Sequence, residues 1–117
     1  MKAIIDLAPR GTVFDTAEAQ IADLEGRKDA DYRLHFESAR ALFSELTPAR
    51  IELLDTLRHS GACSVYALAK TAGRNYANVH GDIKALEALG LVQRTDDEAV
   101  YVPFDSVEIH LELTAVA

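Results

Sequence analysis

Residues 64–90, SVYALAKTAGRNYANVHGDIKALEALG, constrain what this chain can fold into more than any other stretch. Val65, Leu68, Ala69 and Ala72 fall on one face of a helix predicted over about 65–71. Ala72-Gly73-Arg74 reads as a tight turn. A second helix is predicted over about 75–89, where Val79, Ile83, Leu86 and Leu89 form the inward stripe. Two short helices joined by a glycine-bearing turn are the helix-turn-helix pattern. In that pattern the second helix lies in the DNA major groove.

A chain of 117 residues with 49% apolar content is enough for one domain with a core, plus an arm. The start, MKAIIDLAP, has no apolar run of the kind a signal peptide carries, and no stretch is long and apolar enough to span a bilayer. The expectation is a cytoplasmic protein with no membrane partner. Cys63 is the sole cysteine, which excludes an internal disulfide and a multi-cysteine zinc site; it reads as a small buried hydrophobe.

The net charge of -7 opposes nucleic-acid binding, because phosphate contacts dominate such affinity. Distribution softens this objection. Residues 1–46 carry a net charge of -3 and residues 103–117 another -3, so most of the acid sits at the two ends. Between residues 68 and 84, Lys70, Arg74 and Lys84 are set against Asp82 alone. A weak basic face of this kind implies strong salt sensitivity and favours a dimer.

Along the chain, residues 2–7 read as a short strand, broken by Pro9-Arg10-Gly11. Asp15 and Glu18 make a capping-box-like pair ahead of a helix over about 16–25, which Gly26 ends. Tyr32, Leu34 and Phe36 alternate with Arg33 and His35 as a half-buried strand. Ser38 can cap a short helix with Ala39, Leu42, Phe43 and Leu46 on its apolar face. Thr47-Pro48 starts the next helix, which carries Ile51, Leu53, Leu54 and Leu57 and stops near His59. Residues 62–64 are a short extended link. Residues 91–94 and 99–102 read as two strands of a hairpin around Thr95-Asp96-Asp97-Glu98, directly after the helical pair. A final strand alternates Val107, Ile109, Leu111 and Leu113 with Glu108, His110 and Glu112. That strand needs a partner. Residues 32–36, the N-terminal strand or a second copy of the chain could each supply it.

From residue 47 to 102 the order is helix, short strand, helix, helix, hairpin. The segment LTPARIELLDTLRHSGACSVYALAKTAGRNYANVHGDIKALEALGLVQR resembles prokaryotic winged helix-turn-helix regulators of the MarR/ArsR kind. It is similar in particular to small prokaryotic DNA-binding regulators, some of them antitoxin-like. The pieces that carry this are Leu46-Thr47-Pro48, Ser64 with Leu68-Ala69, Asn78-Val79-His80 with Asp82, Leu86-Glu87, Gly90-Leu91-Val92 and Val102-Pro103-Phe104-Asp105. The resemblance covers about half the chain and implies an α+β fold with a winged helix-turn-helix over 47–104. The alternating faces of residues 32–36 and 107–113 point to an N-terminal helix/strand arm over 1–46 and a C-terminal strand over 105–117 as the parts that make a dimer. The resemblance also implies a dimeric repressor that binds double-stranded DNA near its own gene, with a toxin protein as a further partner. Two departures stand out. Gly81 sits in mid-helix on the outer face, and the tip Asp96-Asp97-Glu98 is acidic and unsuited to a phosphate-lined groove.

With Val79, Ile83 and Leu86 inward, the outer face of the second helix carries Asn75, Asn78, His80, Asp82 and Lys84, with Arg74 and Tyr76 at its start. Arginine pairs with guanine and asparagine with adenine, so Arg74, Asn75 and Asn78 are the expected base contacts. Ser64, Tyr66, Lys70, Lys84 and Arg94 are the expected phosphate contacts, with Arg50 as a further candidate. Asn75 also suits a pure helix cap. Tyr76 suits packing as well as a phosphate or thymine-methyl contact. Asp82 either orients Lys84 or Arg74, or accepts from a cytosine amino group. His35, His59, His80 and His110 share no metal-ligand spacing with one another or with Cys63, so no metal or other cofactor is expected. His80 and Asp82, two apart on a helix, do not face each other, and no catalytic motif occurs; an enzyme is not expected. The alternative is a winged-helix module that binds a protein partner and no DNA.

Overall fold

In the computed structural model, which describes residues 1–8 and 31–113, the sequence KAIIDL forms β1 (Lys2–Leu7). The helix expected over 16–25 lies outside the described residues. β1 is the middle strand of a parallel three-stranded sheet, flanked by β2 (Tyr32–Phe36) and by β5 (Ser106–Ile109). Parallel strands are normally covered on both faces and read as continuous apolar runs; the consecutive burial of Ala3, Ile4 and Ile5 fits that rule. The register pairs Ile5 with Leu34 on one side and with Ile109 on the other. Strand alternation then sorts the sheet into two faces. One carries Ala3, Ile5, Leu7, Tyr32, Leu34, Phe36, Val107 and Ile109. The other sets the buried Ile4 among polar pairs: Lys2 pairs with Glu108 at 3.1 Å, His110 with Glu108 at 3.1 Å, and His35 with Asp6. Of the three partners open to the terminal strand, it takes the N-terminal strand β1 of the same chain.

These strands belong to a unit built from the two ends of the chain, bounded by Ser44 and Phe104. Tyr32 stacks on Phe104 in this unit, ring centroids 5.6 Å apart, and burial raises the Tyr32 phenol above its ordinary pKa. A short helix, α1 (Ala39–Glu45), starts at Ser38, whose Oγ accepts from the Ala41 amide, and runs to the unit boundary.

The second unit, Glu45–Pro103, is helical with a small ribbon. α2 (Pro48–Ser60) begins at Thr47, whose hydroxyl accepts from the Arg50 amide at 3.2 Å, with proline where no N–H is needed. α3 (Val65–Ala72) begins at Ser64, whose Oγ accepts from the Ala67 amide. Gly73 ends α3 in the left-handed region (φ 66°), a conformation that favours glycine. α4 (Tyr76–Ala88) begins at Asn75. Leu53, Leu57, Leu68, Val79, Ile83 and Leu86 close the core between the three helices, all nearly or fully inaccessible. Each such side chain contributes roughly 1.5–3 kcal/mol on burial.

The ribbon is shorter than the sequence suggests. β3 is Gln93–Arg94 and β4 is Val100–Tyr101, joined antiparallel. Leu91 and Val92 were expected to open the strand; both are buried, so the helical core takes them instead of the ladder. The extended link before α3 survives as a single bridge. The Cys63 amide donates to the Val100 carbonyl at 3.1 Å, and the Val100 amide donates back at 2.8 Å. This bridge holds the ribbon to the α2–α3 link. The whole is an α+β fold of four described helices, one parallel sheet and one ribbon.

Candidate nucleic-acid interface

α4 buries Val79, Ile83 and Leu86 and so turns the opposite face outward. Ala77, Asn78, Gly81 and Lys84 are all exposed there. The Asn75 side chain accepts from the Asn78 amide at 3.2 Å, so Asn75 is engaged as the helix cap. The Asn78 side-chain amide has no such engagement; its carbonyl and NH2 are open to a ligand.

One flank of this face is aromatic. Tyr66 on α3 is 61% exposed and Tyr76 at the head of α4 is 49% exposed. Their rings lie 6.5 Å apart, and the Tyr76 ring lies 5.8 Å from that of His80. Lys70, one turn along α3, sets its ammonium 5.8 Å above the Tyr66 ring, within cation–π range. Sequence reading named Tyr66 and Lys70 separately; the structure joins them with Tyr76 and His80 in one strip.

The other flank is an ion-pair clamp. Asp82, with 16% of its side chain exposed, accepts from Arg74 Nη2 at 2.8 Å and from Arg50 Nε at 3.1 Å. Arg50 also donates to the Glu45 carbonyl at 2.8 Å. The clamp ties α2, the α3–α4 turn and α4 together. Arg74, expected at a base, and Arg50, expected at a phosphate, are therefore engaged inside the protein. Of the two cations expected beside Asp82, it holds Arg74, and Arg50 takes the place expected of Lys84.

Arg94 is engaged as well. Its Nε donates to both Glu87 carboxylate oxygens at 3.0 Å, and Nη1 reaches Glu98 at 3.4 Å. The Glu87 hydrogen bond raises the Arg94 pKa above its ordinary value. This fixes the end of α4 to the ribbon. His80, Lys84, Glu87, Arg94 and Glu98 line a shallow open hollow between them. Ser64 caps α3, its hydroxyl oxygen turned to the Ala67 amide. No sequence signal marked the pairing of Glu87 with Arg94 or the double use of Asp82; Arg50 and Asp82 stand 32 residues apart.

Among the described residues, no cluster of three or more His, Cys, Asp or Glu side chains is arranged to hold a metal ion. Among the same residues, no helix is long and apolar enough to cross a membrane. No curated protein and no solved structure matches the chain. One family model, described as HVO_A0114, matches residues 45–109, which take in the helical unit, its ribbon and β5. That match covers more than half of the 117 residues, and the chain belongs to the HVO_A0114 family.

Proposed function

We propose that Glu45–Pro103 is a winged-helix unit that binds double-stranded DNA, and that the protein is a small transcriptional regulator. α4 is the recognition helix and the β3–β4 ribbon is the wing. The observation that carries this reading is the outward face of α4: an unengaged Asn78 amide and small residues beside a strip of exposed tyrosines and lysines. Small side chains let a helix approach a groove closely, and the lysines supply phosphate contacts. The acidic tip Asp96-Asp97-Glu98 stays out of the groove. Phosphate contact falls to Lys70 and Lys84. Two cations per copy make a modest binder, so the reading places two copies on the DNA, at a site near the protein's own gene.

The test is fluorescence anisotropy with duplexes covering the region upstream of the coding sequence, at low salt. Saturable binding that weakens on Asn78→Ala is the expected result. No binding to any duplex at low salt contradicts the reading.

One observation favours a second reading, a module that docks a protein. Arg50, Arg74 and Arg94 are all paired with carboxylates inside the unit, which leaves it little free positive charge. On that reading the same face binds a protein partner, and the anisotropy titration stays flat.

A further inference from the structure

The DNA-binding reading leaves open which base pairs α4 meets. The side chains left unengaged on its face answer that. We infer that α4 reads A·T pairs: Asn78 takes adenine, while Tyr76 and Ala77 lie against thymine methyl groups. This inference rests on the DNA-binding reading of the same helix.

Each base pair presents its own chemistry in the major groove. Guanine is read by arginine or lysine, cytosine by a carboxylate, adenine by asparagine or glutamine, and thymine by apolar contact with its methyl group. On and around α4, the arginines and the carboxylates neutralise one another, and Lys84 is, among the described residues, the cation left unpaired on the helix face. Arg74 and Arg50 both hold Asp82, and Arg94 holds both oxygens of Glu87. Each clamp arginine is held by a carboxylate and each carboxylate of α4 by an arginine; Arg74 Nη1, which has no partner, is itself buried. Asn78 keeps both its donor and its acceptor, the bidentate pair that adenine N7 and N6 require.

The apolar half of the argument lies on the aromatic flank. Tyr76, at the first position of α4, is 49% exposed, and the exposed Ala77 follows it. Residues at the head of a recognition helix are those that reach base edges. The ring contacts of Tyr76 with Tyr66 and His80 leave about half of Tyr76 open to water, and a thymine methyl covers that apolar surface favourably. Tyr66 and Lys70 extend the same flank toward the backbone. Lys84, two turns into α4, remains for phosphate.

The experiment uses the full chain. A pool of randomised duplexes is selected for binding at low salt, and the selected duplex is then titrated with thymine replaced by uracil, one position at a time. Uracil lacks only the methyl group. The expected consensus has a core of A·T pairs in each half-site. Uracil at a contacted position weakens binding about fourfold, the worth of one buried methyl-sized group. Asn78→Ala weakens binding about tenfold and relaxes the preference for adenine at one position. Tyr76→Ala abolishes the difference between thymine and uracil at the position Tyr76 covers and leaves it at the position Ala77 covers. Asn78 and Tyr76 are exposed, and circular dichroism checks that each variant keeps its helices. A G·C consensus, the absence of any consensus, or indifference to uracil overturns this inference and leaves DNA binding standing. Failure of the pool to bind at all overturns both.

Discussion

Gly81 is the residue whose chemistry is least explained by the free protein. A Cβ placed there meets nothing within 4 Å, so packing does not require glycine. Mid-helix glycine costs about 0.5–1 kcal/mol relative to alanine. Gly81→Ala is expected to raise stability by about that amount in thermal melts. On the DNA-binding reading it also weakens duplex affinity, because the added methyl group holds the helix off the groove floor. A rise in both stability and affinity contradicts that role. Asp82 shows the opposite economy. Asp82→Ala leaves two half-buried guanidinium groups without their carboxylate and is expected to cost about 2 kcal/mol, measured by urea unfolding. Which arginines are free was not legible in the sequence. Arg74, Arg50 and Arg94 look like ordinary surface cations until the fold brings Asp82 and Glu87 beside them. Asn78 and Lys84 were legible, since the inward stripe of Val79, Ile83 and Leu86 dictates which positions face out.

At the level of elements, local chemistry announced the helices well. Thr47-Pro48 and Ser64 cap the helices they were expected to cap, and Asn75, expected at a base with a cap as its alternative, caps α4, because capping is settled within four residues of chain. Ser64→Ala is expected to lower stability by about 1 kcal/mol, read from the unfolding midpoint. The strands were harder to bound. Leu91 and Val92 carry strand propensity but are taken by the helical core, a tertiary preference that a local pattern does not contain. The partner of β5 was one of three possibilities, since alternation gives a strand its faces and not its neighbour. The β1–β5 pair brings a pH dependence. His110, and then Lys2, hold the Glu108 carboxyl below its ordinary range. A carboxylate with a depressed folded pKa stabilises above its unfolded value, and that contribution is lost as pH falls through the folded value. Stability is thus expected to drop as pH falls below about 4, and Glu108→Gln is expected to flatten that limb. Urea midpoints between pH 3 and pH 7 check this; an unchanged limb in the variant contradicts it.

On the scale of the molecule, two units divide the labour. One is built from both ends of the chain around β1; the other, Glu45–Pro103, holds its own core, caps and ion-pair clamps. The helices of the second were plain in the sequence because their caps and apolar stripes are local, while its Arg50–Asp82 pair and Cys63–Val100 bridge were not. The first depends on pairing residue 5 with residues 34 and 109, a match made only in three dimensions. A fragment of about 60 residues buries enough apolar surface to fold alone, though marginally. The isolated segment 45–103 is therefore expected to unfold cooperatively by circular dichroism, at a lower midpoint than the full chain. A fragment without a cooperative transition contradicts the independence of its core.

The central claim is that the face of α4, flanked by Lys70 and Lys84, meets the DNA backbone and grooves. The salt dependence of duplex affinity tests it most directly. Each phosphate contact made by a lysine steepens the decline of affinity with salt by about one unit of logarithmic slope. Wild-type protein is predicted to lose affinity steeply as salt rises. The double variant Lys70→Ala, Lys84→Ala is predicted to bind more weakly, with a slope shallower by about two for each copy bound. A slope that the double variant leaves unchanged, or an absence of binding at the lowest salt, contradicts the account.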